Sequence, residues 1–135
     1  MRIAVDTNVL VRYLTWDDEP HASEAAKVIE QAEAIVVPTI VLCELVWVLK
    51  RAYRYGGPEI IGILRRLLAV RAVEIERPAA RAGIAMLARG GDFADGVVRH
   101  EADRAKCDPL ATFDRGFARL LDPDKVALLG TRPTP

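Results

Sequence analysis

The sequence predicts an α/β protein: a three-layer α/β/α sandwich whose central, mainly parallel sheet has four to five strands. Two observations carry this. Short apolar runs of strand length alternate with longer stretches whose apolar residues recur at helical spacing, and Pro, Gly, Asp or Asn punctuates the joints. Such alternation gives right-handed crossovers, which put parallel strands side by side and helices on both faces. The length of 135 residues suits one domain with one core. A single domain over residues 1–130 is therefore expected, with residues 131–135 as a frayed C-terminal tail.

Each element follows from its local chemistry. Arg2 to Val5 reads as the first buried strand, and Asp6-Thr7-Asn8 opens a short helix through Val9, Leu10, Tyr13 and Leu14. After the acidic loop Asp17-Asp18-Glu19, a solvated turn by its chemistry, Pro20 sits in a first helical turn, where its missing N–H costs little. That helix runs to about Ala32, and Ala34 to Val37 is the second strand. Pro38-Thr39 starts a long helix ending near Tyr55-Gly56-Gly57, and Pro58 begins another with Ile60, Ile61, Leu64, Leu67 and Leu68 in phase. Ala72 to Ile75 is a third strand. Pro78 to Ala88 is helical, Gly90-Gly91 breaks it, and Asp92 opens a helix reaching about Lys106. Pro109 to Phe113 is the fourth strand and Val126 to Leu129 the fifth.

Composition narrows the class. With 51% apolar and 28% charged residues the chain is of ordinary globular make-up. Its apolar runs fall far short of the ~20 residues that span a bilayer, so no membrane association is expected. The N-terminus lacks the apolar core and cleavage site of a secretory signal, which points to the cytoplasm. Cys43 and Cys107 have no CxxC or Cys/His neighbourhood, so they read as buried small hydrophobes rather than zinc ligands. His21 and His100 stand alone, and Trp16 and Trp47 read as core or interface anchors rather than base-stacking platforms, since no other aromatics accompany them in a strand pattern. The net charge is zero but unevenly spread: residues 1–48 carry a balance of −5, residues 49–91 of +6 and residues 92–135 of −1. A basic middle third beside acidic flanks suits gripping a polyanion while holding cations, and solvated helix faces are the competing reading.

Four carboxylates stand where a carboxylate is hard to explain structurally: Asp6, Glu44, Asp95 and Asp114. Asp6 follows Ile3-Ala4-Val5, and Asp114 follows Pro109-Leu110-Ala111-Thr112-Phe113. Each thus ends a short strand, where open α/β sheets bind ligands. Glu44 interrupts an apolar run from Val41 to Leu49, so an ionised side chain there needs a partner. Three carboxylates ~5 Å apart would repel by roughly 3 kcal/mol per pair at an effective dielectric of 20, so they stay ionised together only around a cation. Oxygen ligands favour Mg²⁺ or Mn²⁺, and such a centre can activate water for phosphodiester cleavage. The competing readings are structural: Asp6 as a helix cap, Asp114 as the cap of the turn Asp114-Arg115-Gly116-Phe117, Glu44 paired with a buried Arg, Asp92 as N-cap and Asp95 as an acidic N3 residue. The site is preferred for the four named residues and the cap for Asp92. Arg51, Arg54, Arg65 and Arg66 are either a solvated surface or phosphate contacts.

The pattern resembles the PIN domain, and within it the VapC-type toxins of bacterial type II toxin–antitoxin operons. The matching pieces are Asp6-Thr7-Asn8-Val9-Leu10, Leu42-Cys43-Glu44-Leu45-Val46-Trp47-Val48-Leu49, Asp92-Phe93-Ala94-Asp95 and Thr112-Phe113-Asp114-Arg115-Gly116-Phe117. They span nearly the whole chain in the family's order. The resemblance implies an α/β/α sandwich and a Mg²⁺- or Mn²⁺-dependent endoribonuclease. It further implies a homodimer, or a larger toxin–antitoxin assembly, restrained by a small cognate antitoxin whose C-terminal segment blocks the acidic pit. Asp6, Glu44, Asp95 and Asp114 are then the catalytic, metal-binding set, with Asn8 and Thr112 as polar support; Arg51 and Arg54 are candidate RNA contacts on the charge balance of residues 49–91 alone. Gly96 departs mildly, since Ala would favour a helix more. Two rivals are a haloacid-dehalogenase-like phosphatase and a non-catalytic PIN interaction module. The first needs a lysine near the acidic site, and none of Lys27, Lys50, Lys106 and Lys125 follows a buried strand. The second gives no physical reason to keep like charges together.

Overall fold

The computed structural model describes residues 1–130, so the tail expected at 131–135 lies outside the described residues. The chain forms two compact units, Met1–Ala80 and Arg81–Pro135. Five strands, all parallel, are hydrogen-bonded among the described residues, as a set of three and a set of two. The α/β class is as the alternation predicts. The single sheet of four to five strands is instead two hydrogen-bonded sets.

In the first unit the order is β1 (Arg2–Ala4), α1 (Thr7–Thr15), α2 (Glu19–Gln31), β2 (Ala34–Val36), α3 (Thr39–Arg51), α4 (Gly57–Ala69) and β3 (Val73–Glu74). β2 is the central strand, and Ile3, Ile35 and Val73 form one row across the sheet. Leu10, Ile35, Leu42, Leu45, Leu49, Ile60 and Leu64 are the fully buried large side chains here. Each contributes about 1.5–3 kcal/mol by leaving water. They come from α1, β2, α3 and α4, so the helices that leave the sheet are fixed by the same core that covers it. Strands are one or two residues shorter than the apolar runs that announce them, because Val5 and Val37 bond across to Val36 and Glu74 while already turning into the next segment.

The loop Asp17-Asp18-Glu19 is more ordered than solvated turn chemistry requires. Trp16 ends α1 in the left-handed region (φ 56°), and its indole N–H donates to Glu19 Oε2 at 3.0 Å. Asp17 accepts from Arg12 at 3.0 Å, from the Thr15 hydroxyl at 3.1 Å and from the Tyr53 hydroxyl beyond α3. Asp18 caps α2 and accepts from the His21 ring at 2.8 Å. The loop is thereby tied to both flanking helices and to the α3–α4 connection.

α5 (Arg77–Ala88) crosses from the first unit's boundary into the second, which continues with α6 (Phe93–Arg104), β4 (Leu110–Thr112), α7 (Arg115–Arg119), a 3-10 turn (Pro123–Lys125) and β5 (Val126–Leu128). α7 is absent from the sequence reading, where Asp114-Arg115-Gly116-Phe117 is only a turn. β4 and β5 pair in register Leu110 to Val126 and Thr112 to Leu128. Met86, Leu110 and Phe117 form the buried cluster, flanked by Ala102, Leu120 and Leu121. Two glycines let α5 and α6 approach. A Cβ at Gly83 would lie 2.5 Å from the Phe93 ring, and one at Gly96 would lie 2.4 Å from the Ala82 carbonyl oxygen. Gly96 is therefore a packing requirement, where helix propensity alone favours alanine.

The cysteines correct the sequence reading: Cys43 is half-buried and Cys107 is exposed. Cys43 lies at the border between the buried and exposed faces of α3, and Cys107 in the turn that follows α6. No helix among the described residues is long and apolar enough to cross a membrane.

Candidate metal centre

Asp6 lies two residues beyond β1 and is the N-cap of α1. Its backbone is extended, and its Oδ1 accepts from the Val9 N–H at 3.2 Å. Capping and ligation were competing readings of Asp6, yet the cap uses one oxygen only. It also fixes the carboxylate in an exposed position at the C-terminal edge of the sheet. β2 is parallel to β1 and pairs with it from Arg2–Ala34 to Ala4–Val36, so α3 departs from the same edge as α1. Thr7 and Asn8 occupy the first turn of α1, Asn8 exposed.

Glu44 corrects its sequence reading. It is exposed, and it has no hydrogen bond or ion pair among the described residues. α3 buries Val41, Leu42, Leu45, Val46 and Leu49, while Ile40 (69% exposed) and Trp47 (60% exposed) share the outward face with Glu44. The apolar run was taken as burial all round. It is a one-sided core stripe plus an unusually apolar surface.

In the second unit Asp114 repeats the arrangement of Asp6. It lies two residues beyond β4, N-caps α7, and accepts from the Phe117 N–H at 3.0 Å through Oδ1. Its own N–H donates to Thr112 Oγ1 at 3.0 Å, so Thr112 holds the backbone that aims Asp114. Asp92 N-caps α6, its Oδ1 accepting from the Ala94 N–H at 3.0 Å, and Asp95 follows in the first turn, as the sequence spacing predicts. The carboxyl of Asp95 is held above the ordinary carboxylate range, first by partial burial, then by the negative charges of Asp92 and Asp114. The fold therefore brings Asp92, Asp95 and Asp114 into mutual repulsion. Asp92, read from sequence as a cap alone, takes part in it.

Among the described residues no three His, Cys, Asp or Glu side chains form a ready-made cage for a metal ion. Mg²⁺ does not need one, since it is typically held by one or two carboxylates with waters and substrate phosphate completing its shell. Carboxylates that spend one oxygen on a helix cap and keep the other available, next to a neighbour whose ionised form is disfavoured, are chemically suited to such a hard cation. The donor set offers no soft sulfur or paired imidazole ligand.

Asp6 and Asp114 thus share a pattern, a strand end leading into a helix that the aspartate caps. The PIN domain family model matches residues 3–121. The chain belongs to the PIN domain family. PIN domains are in general nucleases that use divalent metal ions such as Mg²⁺, so membership supports a nuclease kind of reaction here. No curated protein matches the chain as a relative.

Arg51 and Arg54 are both exposed, in the last turn of α3 and just after it. The Arg51 guanidinium stands over the Trp47 ring at 5.4 Å from its centroid, and Arg54 adopts a left-handed backbone (φ 56°). Trp47 is neither core nor sequestered, which the sequence reading missed. Its position at i+3 from Glu44 on one helix was the available signal.

Proposed function

We propose that this PIN domain is a Mg²⁺- or Mn²⁺-dependent endoribonuclease acting as the toxin of a type II toxin–antitoxin pair in the cytoplasm, working as a homodimer and silenced by a cognate antitoxin. In this reading Asp6, Glu44, Asp95 and Asp114 are its acidic ligands. The observation that carries the reading is membership of the PIN domain family over residues 3–121, beside the placement of Asp6 and Asp114 at strand ends where each caps a helix with one oxygen and keeps the other. Asp92 and Asp114 add negative charge beside Asp95, which a divalent cation would offset. Bound there, the metal would lower the pKa of an attacking water and stabilise the leaving oxygen. The protein's own residues prepare the site: helix caps fix Asp6 and Asp114, Thr112 aims Asp114, and the glycine contact between α5 and α6 sets the helix start that carries Asp92 and Asp95.

The experiment is to incubate the partner-free protein with total RNA, with Mg²⁺ or with EDTA, beside Asp6→Asn. Metal-dependent cleavage that Asp6→Asn abolishes supports the reading. Full activity in EDTA, or in the variant, would falsify it.

A further inference from the structure

We propose that Trp47 is a stacking platform for an unpaired base of a single-stranded RNA, on the same face of α3 as Glu44. The inference rests on the nuclease reading and specifies how its substrate is gripped. Ile40, Glu44, Trp47 and Arg51 fall within a stripe roughly 60° wide on a helix of 3.6 residues per turn. All four are exposed, Ile40 by 69% and Trp47 by 60%. An indole and an isoleucine left in water beside a charged side chain mark a binding surface rather than a core remnant.

The chemistry of the stripe selects the occupant. The Arg51 guanidinium stands over the indole, 5.4 Å from its centroid, which holds the ring through a cation–π contact and places a positive charge beside it. Lys50 and Arg54 are exposed next to Arg51, in the part of the sequence whose charge balance is +6. A flat π-face flanked by cations complements a polymer of bases and phosphates. Glu44 lies one turn before Trp47, about 4.5 Å along the helix axis. A strand whose base rests on Trp47 therefore has its backbone within reach of the proposed acidic ligand. A second copy of the chain is the competing occupant, and the flanking cations favour the phosphate-bearing polymer over it. Paired RNA does not offer its base faces and is not the ligand.

The test uses the full chain in EDTA and two fluorescein-labelled probes, an unstructured oligoribonucleotide of about ten nucleotides and a blunt RNA duplex. Trp47→Ala is expected to weaken binding of the single strand by between about five- and a hundredfold while leaving the duplex unaffected, and Trp47→Phe to retain most of the affinity. In a Trp16→Phe background, leaving Trp47 as the indole reporter, the single strand should quench the fluorescence. Unchanged single-strand affinity in Trp47→Ala, equal losses for both probes, or no binding by the parent protein overturns the proposal. So does a halved solution mass in Trp47→Ala, which would identify the stripe as a contact between copies. Cleavage with Mg²⁺, run in parallel, separates the two ideas. Cleavage with an unchanged Trp47→Ala KM removes the platform alone, whereas selective binding without metal-dependent cleavage keeps the platform and removes the nuclease reading.

Discussion

At Asp6 and Asp114 one side chain caps a helix and, in the proposed function, also binds a metal ion. Each gives Oδ1 to a backbone N–H and keeps a second oxygen. Asparagine caps a helix about as well as aspartate, so Asp6→Asn and Asp114→Asn should abolish metal-dependent cleavage with thermal stability nearly unchanged, whereas Asp6→Ala should also cost about 1 kcal/mol of stability. Calorimetry and an RNA cleavage assay on the same samples check this, and a destabilised Asp6→Asn would show that its charge matters to the fold. Asp95 should behave differently. Its folded-state pKa is raised, so its ionised form weakens the fold at neutral pH, and stability recovers as pH falls through the raised value. Asp95→Asn should therefore melt higher than the parent at pH 7 without metal, with the difference closing at low pH. Asp17 has the opposite sign: the Tyr53 hydroxyl, then Arg12 and Thr15, hold its carboxyl below the ordinary range. Its contribution is present above the unfolded value and lost as pH falls through the folded one. Tyr53→Phe should lower the melting temperature at pH 7, and the gap should begin to narrow near about pH 4 and close as pH falls through the lowered folded-state value. A gap independent of pH would assign the loss to packing.

Helices and strands were legible because their signals are local. Asp6 and Asp92 announce N-caps, Pro20 and Pro58 stand in first turns, and apolar phase marks the buried face of α4, whereas the cap at Asp18 was hidden in what read as a solvated turn. What was not legible depends on contacts distant in sequence. The exposure of Glu44 turns on which side of α3 meets the core, and an almost wholly apolar run does not encode that. The tie between Asp17 and Tyr53 spans 36 residues, and no spacing rule reaches it. α7 is five residues long, below the length at which periodicity speaks, and only its cap Asp114 was visible. Gly96 shows propensity losing to packing. A methyl there would lie 2.4 Å from the Ala82 carbonyl, 2.7 Å from Met86 Cβ and 2.9 Å from Gly83 Cα. Two of those neighbours are backbone atoms, so α5 and α6 must separate. Gly96→Ala should cost about 1–3 kcal/mol despite the better helix propensity of alanine, and should reduce cleavage by moving the Asp92–Asp95 turn. Denaturant melts measure it, and a stabilised Gly96→Ala would mean that the helix pair yields freely.

At the scale of the whole molecule the charge is zero but segregated, with −5 in residues 1–48 and +6 in residues 49–91. The family resemblance suggests the proposed antitoxin, and the acidic part supplies only the sign of its tail. A partner segment bearing arginine can pair bidentately with carboxylates that otherwise take the metal, so partner and Mg²⁺ should compete. Tyr13, Leu14 and Trp16 at the first helices are proposed to bury the partner's apolar side chains. A groove in the first unit lies between α1, which carries Tyr13 and Leu14, and α2. It has a volume of about 400 Å³ and is lined by Asn8, Val9, Arg12, His21, Glu24, Ala25 and Val28. Val28 is 44% exposed there, an apolar side chain available for burial. Val28→Glu should therefore weaken partner binding by tenfold or more, through a lost apolar contact and a charge carried into a closing interface, while leaving cleavage by the free protein unchanged. Co-expression with the neighbouring small open reading frame, followed by cleavage assays at rising Mg²⁺, measures both effects. Inhibition that Mg²⁺ relieves, and that Val28→Glu relieves without Mg²⁺, is the expected result. A partner that binds without suppressing cleavage would remove the toxin role and leave the nuclease standing.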